Sequence, residues 1–244
     1  IAGEPSGDLH GGKLIKAIKD MNPNSSFIGH GGDNMRNEGM RVIEHVDNLA
    51  IMGFAEVLRH LPRMNKIMRS TVSAIKRSKP DRIILIDYPG FNLRLTKKLF
   101  PFKIPITYFI LPQVWAWKQK RVKILKKFID QSISIFPFEN DWYQRHGLRV
   151  EYFGHPFVDI EHFNETTRSF YKRHSLNINN PVLTLLPGSR QQEVDRHWPV
   201  YLETVKILKK KHKDLQVIVG KHLSIILKDC PDDFKIETEA RKAM

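Results

Sequence analysis

Short apolar runs at 26–30 (SFIGH), 82–87 (RIILID), 105–110 (PITYFI), 131–136 (QSISIF) and 150–153 (VEYF) alternate with helical patterns at 9–21, 53–78, 91–99, 119–128 and 139–146. No other feature narrows the fold as much. Neighbouring strands joined through a helix run parallel, because the helix carries the chain back to the edge where it began. Right-handed crossovers of this kind wind helices onto both faces of one open sheet. Several runs end directly in Gly, Pro or Asp, so the loops gather along one sheet edge, where α/β proteins bind their ligands. The pattern restarts near Pro181, with a strand at 181–186 (PVLTLL), the turn Pro187-Gly188-Ser189-Arg190, a helix at 193–213 and a strand at 215–219. The expected architecture is α/β: two Rossmann-like lobes of parallel sheets flanked by helices, with a cleft between. Residues 1–160 form the first lobe, 161–180 a polar linker, and 181–244 a second lobe with too few elements to be complete.

Only Ile1 and Ala2 precede the first glycine-rich turn, and there is no initiator Met, so the chain is expected to begin upstream. A hydrophobic content of 41% with 10% aromatics suffices for a packed core and argues against disorder. The single cysteine, Cys230, excludes a disulfide framework or a cysteine zinc site. No apolar run approaches the ~20 residues of a membrane-spanning helix. The net charge of +14 implies anionic partners: phosphorylated small molecules, acidic phospholipid or nucleic acid. Nucleic-acid binding lacks any helix-turn-helix or RNA-binding motif to carry it.

The loop from Gly3 to Gly12 places glycines at 3, 7, 11 and 12, which is not the GxGxxG spacing of a dinucleotide fingerprint. Glu4, Ser6, Gly7 and Asp8 instead suit a sugar or phosphate site, unless Asp8 merely caps the following helix. Asp87 ends the most apolar strand and is followed by Tyr88-Pro89-Gly90-Phe91-Asn92. Partial burial raises a carboxylate's pKa and fits it to accept a proton from a hydroxyl; capping a helix or pairing with an arginine is the structural alternative. In Pro112-Gln113-Val114-Trp115-Ala116-Trp117-Lys118-Gln119-Lys120-Arg121, two tryptophans beside several donors fit a sugar face or an acyl chain, or simply a core. His155, in Phe153-Gly154-His155-Pro156, is either a ligand contact or a hydrogen-bonded strand end. Gly188, Ser189 and Arg190 before a helix start make an anion nest with a guanidinium added, suited to a diphosphate; the alternative pairs Arg190 with Glu193. Phe54, Val57, Leu58, Leu61 and Met64 recur at helical spacing among Arg59, Arg63 and Lys66, as either a core stripe or a helix lying on an anionic membrane. No His, Asp or Glu cluster has metal-ligand spacing and no DxD pair occurs, so neither metal nor cofactor is expected.

AGEPSGD (2–8), IMGFAEVL (51–58), IDYPGFN (86–92), PQVWAWKQKR (112–121), FPFE (136–139), FGHP (153–156) and LLPGSRQQEV (185–194) occur together and in this order. A chain carrying them resembles the lipid-A-disaccharide synthase family, glycosyltransferase family 19, whose fold is of GT-B type. The resemblance implies an inverting transfer of 2,3-diacylglucosamine from its UDP derivative to 2,3-diacylglucosamine 1-phosphate, on the cytoplasmic face of a Gram-negative inner membrane. It makes Asp87 the general base. It assigns Glu4, Ser6, Gly7, Asp8, Asn92, Trp115, Trp117, Gln119, Arg121 and His155 to substrate, and Gly188, Ser189, Arg190 and Glu193 to the diphosphate. The stripe of Phe54, Val57, Leu58, Leu61 and Met64 becomes the membrane contact. The family continues past Met244 into uridine-binding residues, so residues 1–244 alone are expected to bind UDP-sugar poorly. A polyprenyl-lipid transferase or a UDP-GlcNAc 2-epimerase would keep the fold, but the signatures of neither match PQVWAWKQKR.

Overall fold

The computed structural model describes residues 1–50, 61–158, 165–189, 191–223 and 225–239. The chain divides into two compact units, Ile1–Ile160 and Glu161–Met244.

The first unit runs α1 (Pro5–Met21), β1 (Phe27–Gly31), α2 (Asp33–Asn37), β2 (Met40–His45), α3 (Val46–Ala50), α4 (Leu61–Ser78), β3 (Ile83–Ile86), α5 (Pro89–Leu99), β4 (Ile106–Phe109), α6 (Val122–Phe128), β5 (Gln131–Ser134), α7 (Pro137–Arg145) and β6 (Glu151–Tyr152). All its strand pairs are parallel: β1 with β2, and β3 through β6 in sequence order. Ile1 and Ala2 join the two sets. The Ala2 amide donates to the His30 carbonyl at 3.0 Å, and the Ile86 amide donates to the Ile1 carbonyl at 2.9 Å. The first two residues thus lie between β1 and β3, as a first strand running into the glycine-rich turn must.

The apolar run IILI of β3 is covered on both faces, which is why it lacks polar alternation. On one face Leu85, Leu95, Leu99, Tyr108, Leu125 and Tyr143 form the main core with residues of α4 to α7. On the other, Ala2, Ile15, Met35, Met40, Val46 and Ile86 pack with α1 and α2. Met64 and Val72 of α4 lie half-buried against the main core, with Met68 inside it. The described part of the 54–68 stripe therefore faces the core, which corrects the membrane assignment of Met64. Phe54, Val57, Leu58 and the side chain of Leu61 lie outside the described residues.

The second unit contains α8 (Thr167–Arg173), β7 (Val182–Leu185), α9 (Gln191–Lys211), β8 (Gln216–Gly220) and β9 (Lys235–Glu237), with a parallel β7–β8–β9 sheet. Its core gathers Leu185, Val194, Trp198, Val205, Val217 and Phe234. Part of the expected linker is helical. Thr166 caps α8 through Ser169 N at 3.2 Å, and Glu237 at the end of β9 accepts from Arg173 at 2.7 Å and His174 at 3.1 Å.

Candidate active site

The loops that leave the parallel strands of the first unit meet in a pocket of about 440 Å³. Ser6 and Gly7 come from the start of α1, Asp87 from just after β3, Ile110 to Gln113 and Trp117 from the loop after β4, Phe136 from the turn between β5 and α7, and His155 with Phe157 from the segment after β6. The carboxyl edge of an open parallel sheet is where such convergence is expected.

Asp87 and Tyr88 both adopt left-handed backbone angles, φ 44° and 50°, and Ile110 across the pocket has φ 63°. Strain of this kind in residues with a Cβ costs ~1–3 kcal/mol each and persists only where neighbours enforce it. Those neighbours are identifiable. The Asp87 carbonyl accepts from the Tyr108 hydroxyl and from Asn92 Nδ2, both at 2.7 Å, while its amide donates to Phe109 O at 3.1 Å. Burial, and next the charge of Asp87, raises the Tyr108 phenol well above its ordinary pKa, so it stays a donor. A Cβ at Gly3 would fall 2.1 Å from the Tyr88 ring, so only glycine lets the first turn pack against this one. The result is a fixed backbone at Asp87, a half-buried residue of the pocket wall.

The loop after β4 is tied down from α7. Trp115 Nε1 donates to Glu139 Oε1 at 3.0 Å, and the Tyr143 hydroxyl donates to Pro112 O at 2.5 Å. Glu139 is fully buried, and burial raises its pKa against the Trp115 hydrogen bond. Beyond Trp115, Trp117 is half exposed, with Lys118 Nζ 4.3 Å and the Arg121 guanidinium 5.4 Å from its ring centroid.

The pocket thus unites Ser6, Gly7, Asp87, Trp117 and His155, but not every residue singled out from the sequence. Asp8 is buried, and its two oxygens accept four hydrogen bonds, from Gly32 N (2.6 Å), Asn34 N (3.0 Å), Asn34 Nδ2 (2.7 Å) and Met35 N (3.1 Å). It caps α2 across the chain and has no oxygen left for a substrate. Asn92 is fully buried behind the Asp87 turn and acts on that backbone. Glu4 is the N-cap residue of α1, Trp115 is turned onto Glu139, and Gln119 lies exposed in the 3-10 turn Gln119–Arg121 with Arg121. None of these four lines the pocket. His10 and Glu139 do line it, and sequence reasoning passed over both. Their signal was a polar residue set among glycines or aromatics at the start of a helix.

In the second unit, Gly188 has φ +132°, a conformation that favours glycine, and a Cβ there would lie 3.1 Å from Glu193 Oε2. Ser189 is exposed beside it. Arg190 lies outside the described residues.

The curated relatives of this chain include lipid-A-disaccharide synthases. A lipid-A-disaccharide synthase of Myxococcus xanthus is 37% identical over 219 residues, covering 90% of this chain and 57% of the relative. One of Coxiella burnetii is 34% identical over 227 residues, covering 93% and 60%. The chain therefore spans somewhat under two thirds of the length of these relatives. Among solved structures, the UDP-GlcNAc 2-epimerase of Neisseria meningitidis bound to UDP-GlcNAc superposes with a TM-score of 0.67 at 12% identity, over 99% of this chain and 72% of that one. A putative UDP-N-acetylglucosamine 2-epimerase of Listeria monocytogenes gives 0.64 at 9%, over 97% and 67%. At those identities the likeness is one of fold, two Rossmann-like units of GT-B type. The family model described as lipid-A-disaccharide synthetase matches residues 1–232, and with relatives at this level of identity the conclusion is direct: the chain belongs to the lipid-A-disaccharide synthetase family.

Proposed function

We propose that this family member carries out an inverting glycosyl transfer. The 6-hydroxyl of 2,3-diacylglucosamine 1-phosphate attacks the anomeric carbon of UDP-2,3-diacylglucosamine. As the new β-1,6 bond forms, the bond from that carbon to the diphosphate breaks, Asp87 takes the hydroxyl proton, and UDP leaves with its electron pair. The observation that carries this reading is the Asp87 turn, whose backbone is held by three hydrogen bonds and which lines the pocket. A general base must be immobile relative to the proton it removes, and such catalysis contributes ~10²–10⁴-fold.

The departing diphosphate is assigned to the Gly188–Ser189 turn and Arg190, where a guanidinium offsets the charge that develops on the leaving group, with Glu193 on the following helix. Both substrates carry acyl chains, so the protein works at a membrane surface. Its +14 charge supports attraction to an anionic inner-membrane face on the cytoplasmic side. No described helix is long and apolar enough to cross a membrane, which fits peripheral contact through residues 54, 57 and 58.

The test is transfer by the native protein, with and without Asp87→Ala, donor binding being measured separately. Retained donor binding with turnover lowered ~10²–10⁴-fold is expected; turnover preserved in the variant removes Asp87 from the reaction.

A further inference from the structure

Net charge is not spread over this chain. Residues 61–129 hold 17 of its 40 Lys and Arg but, of its 26 Asp and Glu, only Asp81 and Asp87, a net +15. The other residues hold 23 Lys and Arg against 24 Asp and Glu, so one segment carries the whole excess. Asp81 and Asp87 flank β3. The helices of the segment have no carboxylate at all: α4, α5 and α6 together bear eleven Lys and Arg and no Asp or Glu. By contrast α1 mixes the signs, with Asp8 and Asp20 among Lys13, Lys16 and Lys19.

The fold gathers these cations on one layer. All three helices bury residues in the main core, and α5 packs against both α4 and α6. In α4, Ile67, Met68, Ala74 and Ile75 are buried, while Arg63, Lys66, Arg69, Lys76 and Arg77 fall on the opposite side. Arg94, Lys97 and Lys98 of α5 recur at i, i+3 and i+4, as do Lys123, Lys126 and Lys127 of α6, which places each set in one stripe. All eleven are exposed, and among the described residues none pairs with a carboxylate; the Lys and Arg ion pairs lie elsewhere, at Arg36, Arg173, Lys206 and Lys209. Packed helices lie about 10 Å apart, close to the ~8 Å screening length at physiological salt, so the three stripes act together. Charge of one sign at this density repels itself and lowers stability, and a partner of opposite sign offsets that.

Stripes along a helical layer, rather than cations around a cavity, match an extended anionic surface and not a single phosphate. Where α5 ends, Phe100 is 57% exposed and packs edge-on against Phe128 at 5.3 Å, with Lys127 Nζ 5.4 Å from the Phe128 ring centroid. A bare aromatic ring among lysines fits the boundary of a bilayer. A nucleic-acid duplex would match the cations but leave the ring in water.

We propose that the α4–α5–α6 layer docks on the headgroups of an anionic phospholipid bilayer, and that this layer, not net charge as such, is what the membrane selects. The inference deepens the peripheral location proposed above and rests on it, adding a face separate in sequence from residues 54, 57 and 58.

Co-sedimentation of the native protein with phosphatidylcholine vesicles, with and without phosphatidylglycerol, tests it. Binding is expected to need phosphatidylglycerol and to weaken as salt rises. Lys98→Gln, Lys123→Gln and Lys127→Gln combined weaken it about fivefold per charge, ~100-fold in all. Lys210→Gln, Lys211→Gln and Lys213→Gln combined remove the same charge from exposed positions of the second unit and change binding by less than about twofold. Equal losses in the two triple variants overturn the proposal, since net charge then suffices. Equal binding to vesicles lacking phosphatidylglycerol overturns it too, as does duplex DNA held more tightly than those vesicles at equal salt and phosphate. Transfer with detergent-dispersed substrates is the second readout: the α5–α6 variant keeps its kcat within about twofold there, and a loss as large as that on vesicles contradicts docking. Transfer without vesicle binding removes the docking face and leaves the Asp87 reaction standing; vesicle binding without transfer removes that reaction alone.

Discussion

Asp8 and Asp87 occupy comparable places in the first unit, each just beyond the stretch of chain that forms a central strand, and they meet opposite fates. Four donors from the start of α2 converge on Asp8 and use both its oxygens. At Asp87 donors from Tyr108 and Asn92 converge on the carbonyl, and the residue lines the pocket. Residue type and position in the chain do not show which carboxylate is saturated by neighbouring donors; for Asp8 the packing of α2 decides it. Glu237 in the second unit sides with Asp8, its oxygens taken by Arg173, His174 and the Glu239 amide.

The contrast is sharpest when the two aspartates are replaced in parallel. Asp87→Asn is expected to lower kcat by ~10²–10⁴ with donor binding retained. Asp8→Asn turns one acceptor oxygen into a donor facing N–H groups, so a stability loss of ~2–4 kcal/mol is expected, read as a lowered unfolding midpoint with kcat of the folded fraction retained. Equal loss of both properties in both variants would erase the distinction.

A smaller effect probes the backbone clamp. Asn92→Ala removes the amide that holds the Asp87 carbonyl, and a loss of ~1–3 kcal/mol in stability is expected, accompanied by a fall in kcat with little change in KM. A change confined to KM would place Asn92 in the substrate contact instead.

The smallest effect is pH-dependent. Burial pushes the Glu237 carboxyl up, but the bonds from the Glu239 amide, Arg173 and His174 outweigh it and bring the pKa from 4.5 down to about 2. A carboxylate more acidic in the folded state stabilises it fully above the unfolded value, and that contribution is lost as pH falls from about 4.5 to about 2. Glu237→Gln is therefore expected to lower stability by ~1–2 kcal/mol at pH 7, with the two proteins converging as pH approaches 2. A constant gap across that range would show that the charge plays no part.

Much of the fold was legible because β3, β4 and β5 are short apolar runs that stop abruptly, which buried parallel strands must do. β2 (Met40–His45) escaped because it pairs only with β1 among the described strands and alternates exposed Arg41 and Ile43 with more buried residues. α8 escaped because the polar sequence that suggests a linker also supplies the Thr166 cap and the cations that reach Glu237. The place of Asp87 at the pocket was legible from its position at the end of an apolar run. The saturation of Asp8 was not, because its donors come from 24 to 27 residues away. The places of His10 and Glu139 at the pocket depend on which loops meet, and no local spacing encodes that.

The central claim is that Asp87, alone among the carboxylates at this sheet edge, takes the proton of the acceptor hydroxyl. A crystal structure of the native protein with 2,3-diacylglucosamine 1-phosphate bound measures this directly. The account predicts the 6-hydroxyl oxygen within ~3.2 Å of an Asp87 carboxylate oxygen, with Asp8 still bonded to α2. A 6-hydroxyl beyond reach of Asp87, or bonded to Glu139 instead, would contradict it.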